Sequence, residues 1–220
     1  MAIQKTEAIL LRRQEVRETS LMLTAFSRNL GKFQGLIKGV RGGRAAVPWY
    51  LEPLTLQSVV LYERRRSPWA LVSACDLIDG FEPIRKDLAR TAHATYGLEL
   101  VDAMTGVGDA HPEIFDLLLS FLRGLESPET DPASLTRFLE IHLLRVSGLL
   151  PKVEALALSE PARESFRKVL NTPFSRAAGL RLPVETELPL RRILEGLIRR
   201  ALERELRSKT FLQTITHEAA

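Results

Sequence analysis

The 220-residue chain carries 31 Lys and Arg against 27 Asp and Glu, a net charge of +4, and 45% of its residues are hydrophobic. No apolar run approaches the roughly 18 residues of a membrane-spanning helix, and the opening "MAIQKTEAILLRRQ" has neither the apolar core nor the cleavage site of a signal peptide. Cys75 is the single cysteine, which excludes an internal disulfide framework and a multi-cysteine zinc site; the expectation is a cytoplasmic protein held by packing alone.

The first 80 residues read as strands. "TEAILLRR" (6–13), "TSLMLTAFS" (19–27) and "KFQGLIKGV" (32–40) are short and apolar-rich or alternating. Between the second and third, "RNLG" (28–31) signals a tight hairpin, with Gly31 free to take a positive φ. A glycine-rich stretch, "GLIKGVRGGRAA" (35–46), precedes two more strands, "LTLQSVVLYE" (54–63) and "WALVSACDLID" (69–79), which "RRRSP" joins. Five short strands with one long loop after the third predict a small five-stranded barrel of the OB type over residues 1–82. A flat five-stranded sheet packed on helices is the structural alternative.

From Pro83 the apolar period lengthens to that of a helix, and residues 83–220 are predicted to form an α-helical domain, making the fold class α+β. Ala89, Ala92, Tyr96, Leu100, Ala103 and Met104 mark one helical face. "PEIFDLLLSFLRGL" (112–125) is apolar nearly all round and predicts a helix buried among its neighbours. Asp131 as N-cap, Pro132 in the first turn and Gly148 as a stop bracket a third helix. A single last helix is predicted over 188–209, with Leu190, Ile193, Leu194, Leu197, Ile198, Ala201 and Leu202 as its stripe. Glu195/Arg199, Glu203/Arg207 and Glu205/Lys209 are spaced as i,i+4 pairs on its wet side. Residues 151–187 show the weakest periodicity and predict a loop-rich insert.

Charge is unevenly spread. Residues 1–66 hold 12 basic and 5 acidic residues, and no acid falls between Glu18 and Glu52; residues 83–150 reverse the sign, with 6 basic against 10 acidic. Such asymmetry is the footprint of a polyanion-binding half joined to a neutral or acidic one. The glycine-rich loop matches neither phosphate-loop pattern. "DAHPE" (109–113) has metal-ligand residue types in a helix connection, where polar residues are expected anyway; His142 reads as a hydrogen-bonded core or boundary histidine, and Asp76, Asp79 and Glu82 as a solvated strand end. No serine sits in a nucleophile motif, so neither catalysis, nor a metal, nor a cofactor is indicated. Nucleic-acid contact is. Lys32 and Lys38 alternate along the third strand, Arg41 and Arg44 follow among glycines that open the backbone to an anion, and Trp49 stands beside them for stacking on unpaired bases. Arg64, Arg65 and Arg66 add charge at another turn. A protein–protein adaptor with merely solubilising cations and an RNA-binding OB protein remain as alternatives.

The stretch "EAILLRRQEVRETSLMLTAFSRNLGKFQGLIKGVRGGRA" resembles the N-terminal signature of the RecO family of bacterial recombination mediators. The matching elements are Glu18-Thr19-Ser20, Thr24 and Phe26, Gly31, and the Lys38-Gly39-x-Arg41 exit. "YLEPLTLQ" (50–57), "ATYGLELVD" (94–102), "RFLEIHLLRVSGLLP" (137–151) and "LRSKTFL" (206–212) follow in the family's order. The resemblance implies an OB domain followed by a helical domain, in a cytoplasmic, nucleoid-associated protein that is not an enzyme. It also implies binding of single- and double-stranded DNA, annealing of complementary strands, and help in loading RecA on DNA coated by single-strand-binding protein, together with RecR. The acidic C-terminal tail of single-strand-binding protein would dock in the helical domain, where Arg137 matches the family's basic residue before a Phe. Many members carry four zinc-spaced cysteines after this helix; residues 151–187 contain none, so the segment is expected either to pack through Leu156, Phe166, Leu170 and Phe174 or to be mobile.

Overall fold

The computed structural model describes residues 3–16, 18–40, 48–62, 67–202 and 204–218. Five strands, β1 (Ile3–Val16), β2 (Ser20–Ser27), β3 (Gly31–Ile37), β4 (Leu56–Tyr62) and β5 (Ala70–Asp79), close into a barrel in the order β1-β2-β3-β5-β4. Closure depends on β1. Its first half pairs with β4 and its second with β2, and a register shift between Leu10 and Arg12 lets the strand bend from one partner to the other. Inward-pointing Ala8, Leu10, Leu21, Leu23, Ala25, Ile37, Val59, Leu61 and Val72 fill the interior with Leu51. Full burial of each Leu or Ile is worth roughly 1.5–3 kcal/mol. The flat-sheet alternative is thereby set aside.

The "RNLG" turn forms as its residues require. Ser27 faces Gly31, Leu30 donates its N–H to Ser27 Oγ at 3.1 Å, and Gly31 has φ +64°. β3 then meets β5 only at Gly35–Ala70 and Leu36–Leu71, in parallel, so the barrel seam stays open alongside residues 32–34.

Two compact units divide the chain: residues 1–81 with 105–115, and residues 82–104 with 116–220. Domains at 1–82 and 83–220 do not anticipate the return of 105–115 to the barrel unit. Gly108 donates its N–H to the Lys32 carbonyl at 2.8 Å, and Val107 forms a parallel bridge with Lys32. A Cβ on Gly31 would lie 2.0 Å from the Asp109 carbonyl oxygen, so the segment's approach needs a glycine there.

The second unit holds α1 (Glu82–Arg85), α2 (Leu88–Met104), most of α3 (Pro112–Glu126), α4 (Pro132–Val146), α5 (Glu160–Asn171), α6 (Val184–Leu202) and α7 (Arg207–Glu218). α4 starts where expected: Asp131 accepts from the N–H groups of Ala133 (3.3 Å) and Ser134 (3.0 Å), and Gly148, two residues past the helix, has φ +69°. α3 buries Ile114, Phe115, Leu117, Leu118, Phe121, Leu122 and Leu125 as its composition requires and keeps Glu113 and Arg123 exposed, while α4 is buried on all sides from Ser134 to Leu144. α2 packs on α4 and α7, and α4 on α5 and α6. Where α2, α3 and α4 meet, Gly97 allows close contact, since a Cβ there would lie 2.5 Å from the Phe121 ring. The insert is more regular than its sequence suggests: Phe166 of α5 is fully buried, Leu156 buried, and Phe174 meets Phe138 and His142 edge-on.

Candidate nucleic-acid interface

The opening at the β3–β5 seam is a groove of about 400 Å³, lined by Asn29, Leu30, Lys32, Phe33, Gln34, Leu61, Ser67, Pro68, Trp69, Ala70, Val107 and Gly108. Three consecutive half-buried residues of β3, Lys32, Phe33 and Gln34, line it; Phe33 also packs against the barrel core, into which Ile37 is buried. Leu61, only 2% exposed, forms part of its floor. Among the described residues no carboxylate lines it, and Lys32 contributes a positive charge.

The β4–β5 loop supplies Trp69, 38% exposed. Its backbone is pinned twice by one serine: Ser67 Oγ donates to the Trp69 carbonyl (2.9 Å) and accepts from the Trp69 N–H (3.3 Å). β5 begins at the next residue. The backbone that presents the indole is therefore held by two hydrogen bonds to Ser67.

Of the residues singled out in the sequence, Lys32 lines the groove. Lys38 is exposed just past the end of β3, and Trp49 is 51% exposed in a single 3₁₀ turn, Trp49–Leu51; neither is among the groove-lining residues. Arg41, Arg44, Arg64, Arg65 and Arg66 lie outside the described residues. Sequence reasoning passed over Trp69, although it ends the same "ERRRSPW" run that marked the three arginines. The missing signal was the parallel Gly35–Ala70 register, which brings the start of β5 beside β3.

Arg137 is not a surface residue. It is 4% exposed, with Nη1 3.0 Å from Glu140 Oε2 and Nε 3.9 Å from Glu187 Oε1. Burial pushes the Glu140 carboxyl up, against the pull of Arg137 and of the Tyr96 hydroxyl, which donates to Glu140 Oε1 at 2.6 Å. An acidic partner segment reaches this guanidinium only by displacing a carboxylate already there.

His142 is 1% exposed and donates Nε2–H to the Val169 carbonyl at 3.1 Å; burial lowers its pKa to about 4, so it is neutral at pH 7. His93 is held likewise, with Nδ1 2.7 Å from Thr136 Oγ1 and, through burial, a pKa of about 4. In "DAHPE", His111 Nε2 lies 3.0 Å from Asp109 Oδ2, and no group of three or more potential metal ligands forms among the described residues. A four-cysteine zinc module does not fit 151–187, which has neither Cys nor His. Cys75, partly buried, has its thiol pushed up to about 12, chiefly by burial, far from a reactive thiolate. Among the described residues no helix is long and apolar enough to cross a membrane.

A closed five-stranded barrel with a groove between its third strand and its β4–β5 loop, followed by helices, defines a class: OB-fold proteins with a helical C-terminal unit. Within that class, the family model "Recombination protein O N terminal" matches residues 1–81 and "Recombination protein O C terminal" matches residues 85–158. The chain belongs to the RecO family of DNA repair proteins. It is 32% identical to the DNA repair protein RecO of Syntrophus aciditrophicus (strain SB) over 171 residues, 77% of this chain and 66% of that one. With the RecO of Anaeromyxobacter dehalogenans (strain 2CP-C) it shares 33% identity over 70% of this chain and 60% of the relative. With that of Myxococcus xanthus (strain DK1622) identity is 28%, over 95% and 96%. The match thus spans slightly less than two thirds of the first two relatives' length.

Proposed function

We propose that the protein is a recombination mediator that binds single- and double-stranded DNA without sequence preference and anneals complementary strands, with no cofactor and no bond-breaking step. The observation that carries this reading is the coincidence of family with charge. The OB-type unit contains the 33 acid-free residues 19–51, and its groove is lined by Lys32 and, among the described residues, by no carboxylate. Lys32, Lys38, Arg41, Arg44, Arg64, Arg65 and Arg66 contact phosphates. Two strands whose charges are screened on one surface repel each other less, which speeds pairing without chemistry. The partners in this reading are RecR, the single-strand-binding protein and, through them, RecA. The tail of single-strand-binding protein reaches Arg137 by exchanging one of its carboxylates for Glu187, whose side chain is 22% exposed and stands 3.9 Å from the guanidinium.

The test is annealing of complementary fluorescent oligonucleotides, with binding followed by anisotropy. Acceleration at low salt that fades as salt rises is expected. A wild-type protein that neither binds DNA nor speeds annealing at low salt would refute the reading.

A further inference from the structure

We propose that the groove between β3 and the β4–β5 loop holds one unpaired nucleobase stacked on the Trp69 indole, and that this contact makes single strands the preferred nucleic acid over duplex. The inference rests on the DNA-binding reading and deepens it. Charge alone does not discriminate, since both forms present phosphates. An aromatic face does, because in a duplex each base face is covered by its neighbours, whereas an unpaired base offers its own.

Four observations point to a base and not to a phosphate alone. The groove, about 400 Å³, is of small-ligand size and has an apolar floor at Leu61. Its walls include two solvent-exposed apolar side chains, Trp69 (38%) and Val107 (62%), so an apolar face is offered from either side. β3 carries Lys32 beside Val107, through their bridge, and Gly35 beside Ala70, the neighbour of Trp69; residues 32–34 therefore run between the two apolar walls. The side-chain amides of Asn29 and Gln34, each with donors and an acceptor, border the same space and suit the polar edge of a base. Ser67 holds the Trp69 backbone before any ligand arrives, which reduces the ordering cost of binding.

Because the chain has only two tryptophans, Trp49 and Trp69, each can be made the sole reporter. W49F reports Trp69 and W69F reports Trp49; each is titrated with oligothymidine and with a blunt hairpin duplex, and total binding is read in parallel by anisotropy of labelled DNA. The expected result is quenching of Trp69 emission that saturates with single-strand binding and is absent with duplex. W69A should weaken single-strand binding about tenfold, the loss of one base–aromatic stack, and leave duplex binding within twofold. Binding by anisotropy with unaltered Trp69 emission would overturn the inference and leave the charge-based function standing, as would quenching confined to Trp49. Equal weakening of both nucleic acids by W69A would also overturn it. No binding of either form by the wild type would remove the broader reading along with this one.

Discussion

Gly31 answers two constraints that come from different parts of the chain. The "RNLG" turn asks for a positive φ, and the residue takes +64°. The returning segment asks for a missing side chain, since a Cβ would sit 2.0 Å from the Asp109 carbonyl oxygen. Local sequence announces only the first. Gly31→Ala is therefore expected to cost more than the roughly 1–2 kcal/mol of a left-handed alanine, because backbone must also move. The N–H of Gly108, bonded to Lys32, should then exchange with solvent faster than in the wild type. Urea unfolding with amide exchange checks both; a loss below about 1 kcal/mol with Gly108 still protected would show that the segment adapts without strain. Trp69 illustrates the same limit on reading single residues. It and Trp49 both follow arginine-rich stretches, and what separates them is a strand pairing that no local pattern encodes.

At the scale of elements, the strands were legible because their alternation and turns are local, and all five appear within a few residues of where the pattern puts them. The helical unit was less so. α4 carries Ser134, Thr136, Arg137, Glu140 and His142, which in sequence suggest a half-wet helix; each is buried because a partner from elsewhere meets it or its neighbour. The last helix is two helices, α6 and α7. The supposed pairs are also rearranged: Glu195 lies 3.1 Å from Arg191 and 3.2 Å from Lys209, and Glu203 is outside the described residues. The break is capped from a distance. Glu99 of α2 accepts the N–H groups of Arg207 (3.1 Å) and Ser208 (2.7 Å) and the Ser208 hydroxyl (2.5 Å), satisfying N–H donors in the first turn of α7. Burial alone would raise the Glu99 carboxyl, but these hydrogen bonds outweigh it and hold the pKa below the usual carboxylate value. The carboxylate form is therefore favoured in the folded state. Its contribution is present above the unfolded pKa, near 4.3, and is lost as pH falls through the lowered folded value. Glu99→Gln should cost about 1 kcal/mol at pH 7, the usual worth of a cap, and much less once acid has protonated the wild-type carboxyl. Exchange protection in α7 at the two pH values measures this; an unaltered α7 at pH 7 would mean that packing on α2 alone holds it.

On the scale of the whole chain, the informative quantity is the partition of charge and not its sum. A net of +4 over 220 residues predicts little, but +7 over residues 1–66 (12 basic minus 5 acidic), beside an acidic 83–150, predicts how binding responds to salt. If Lys32, Lys38, Arg41, Arg44, Arg64, Arg65 and Arg66 each neutralise one phosphate, log K against log[salt] for a single strand should fall with a slope of about −5, taking 0.7 per contact. Replacing Lys38, Arg41 and Arg44 together by Ala should reduce that slope to about −3. W69A should weaken single-strand binding and leave the slope as it was, because a stacked base releases no counterion. The two variants thus separate charge from stacking in one salt series read by anisotropy. A triple variant with the wild-type slope would take the glycine-rich loop out of the DNA path, whereas a W69A slope that falls by a full contact would mean that the loss at Trp69 disturbs Lys32 and not a base.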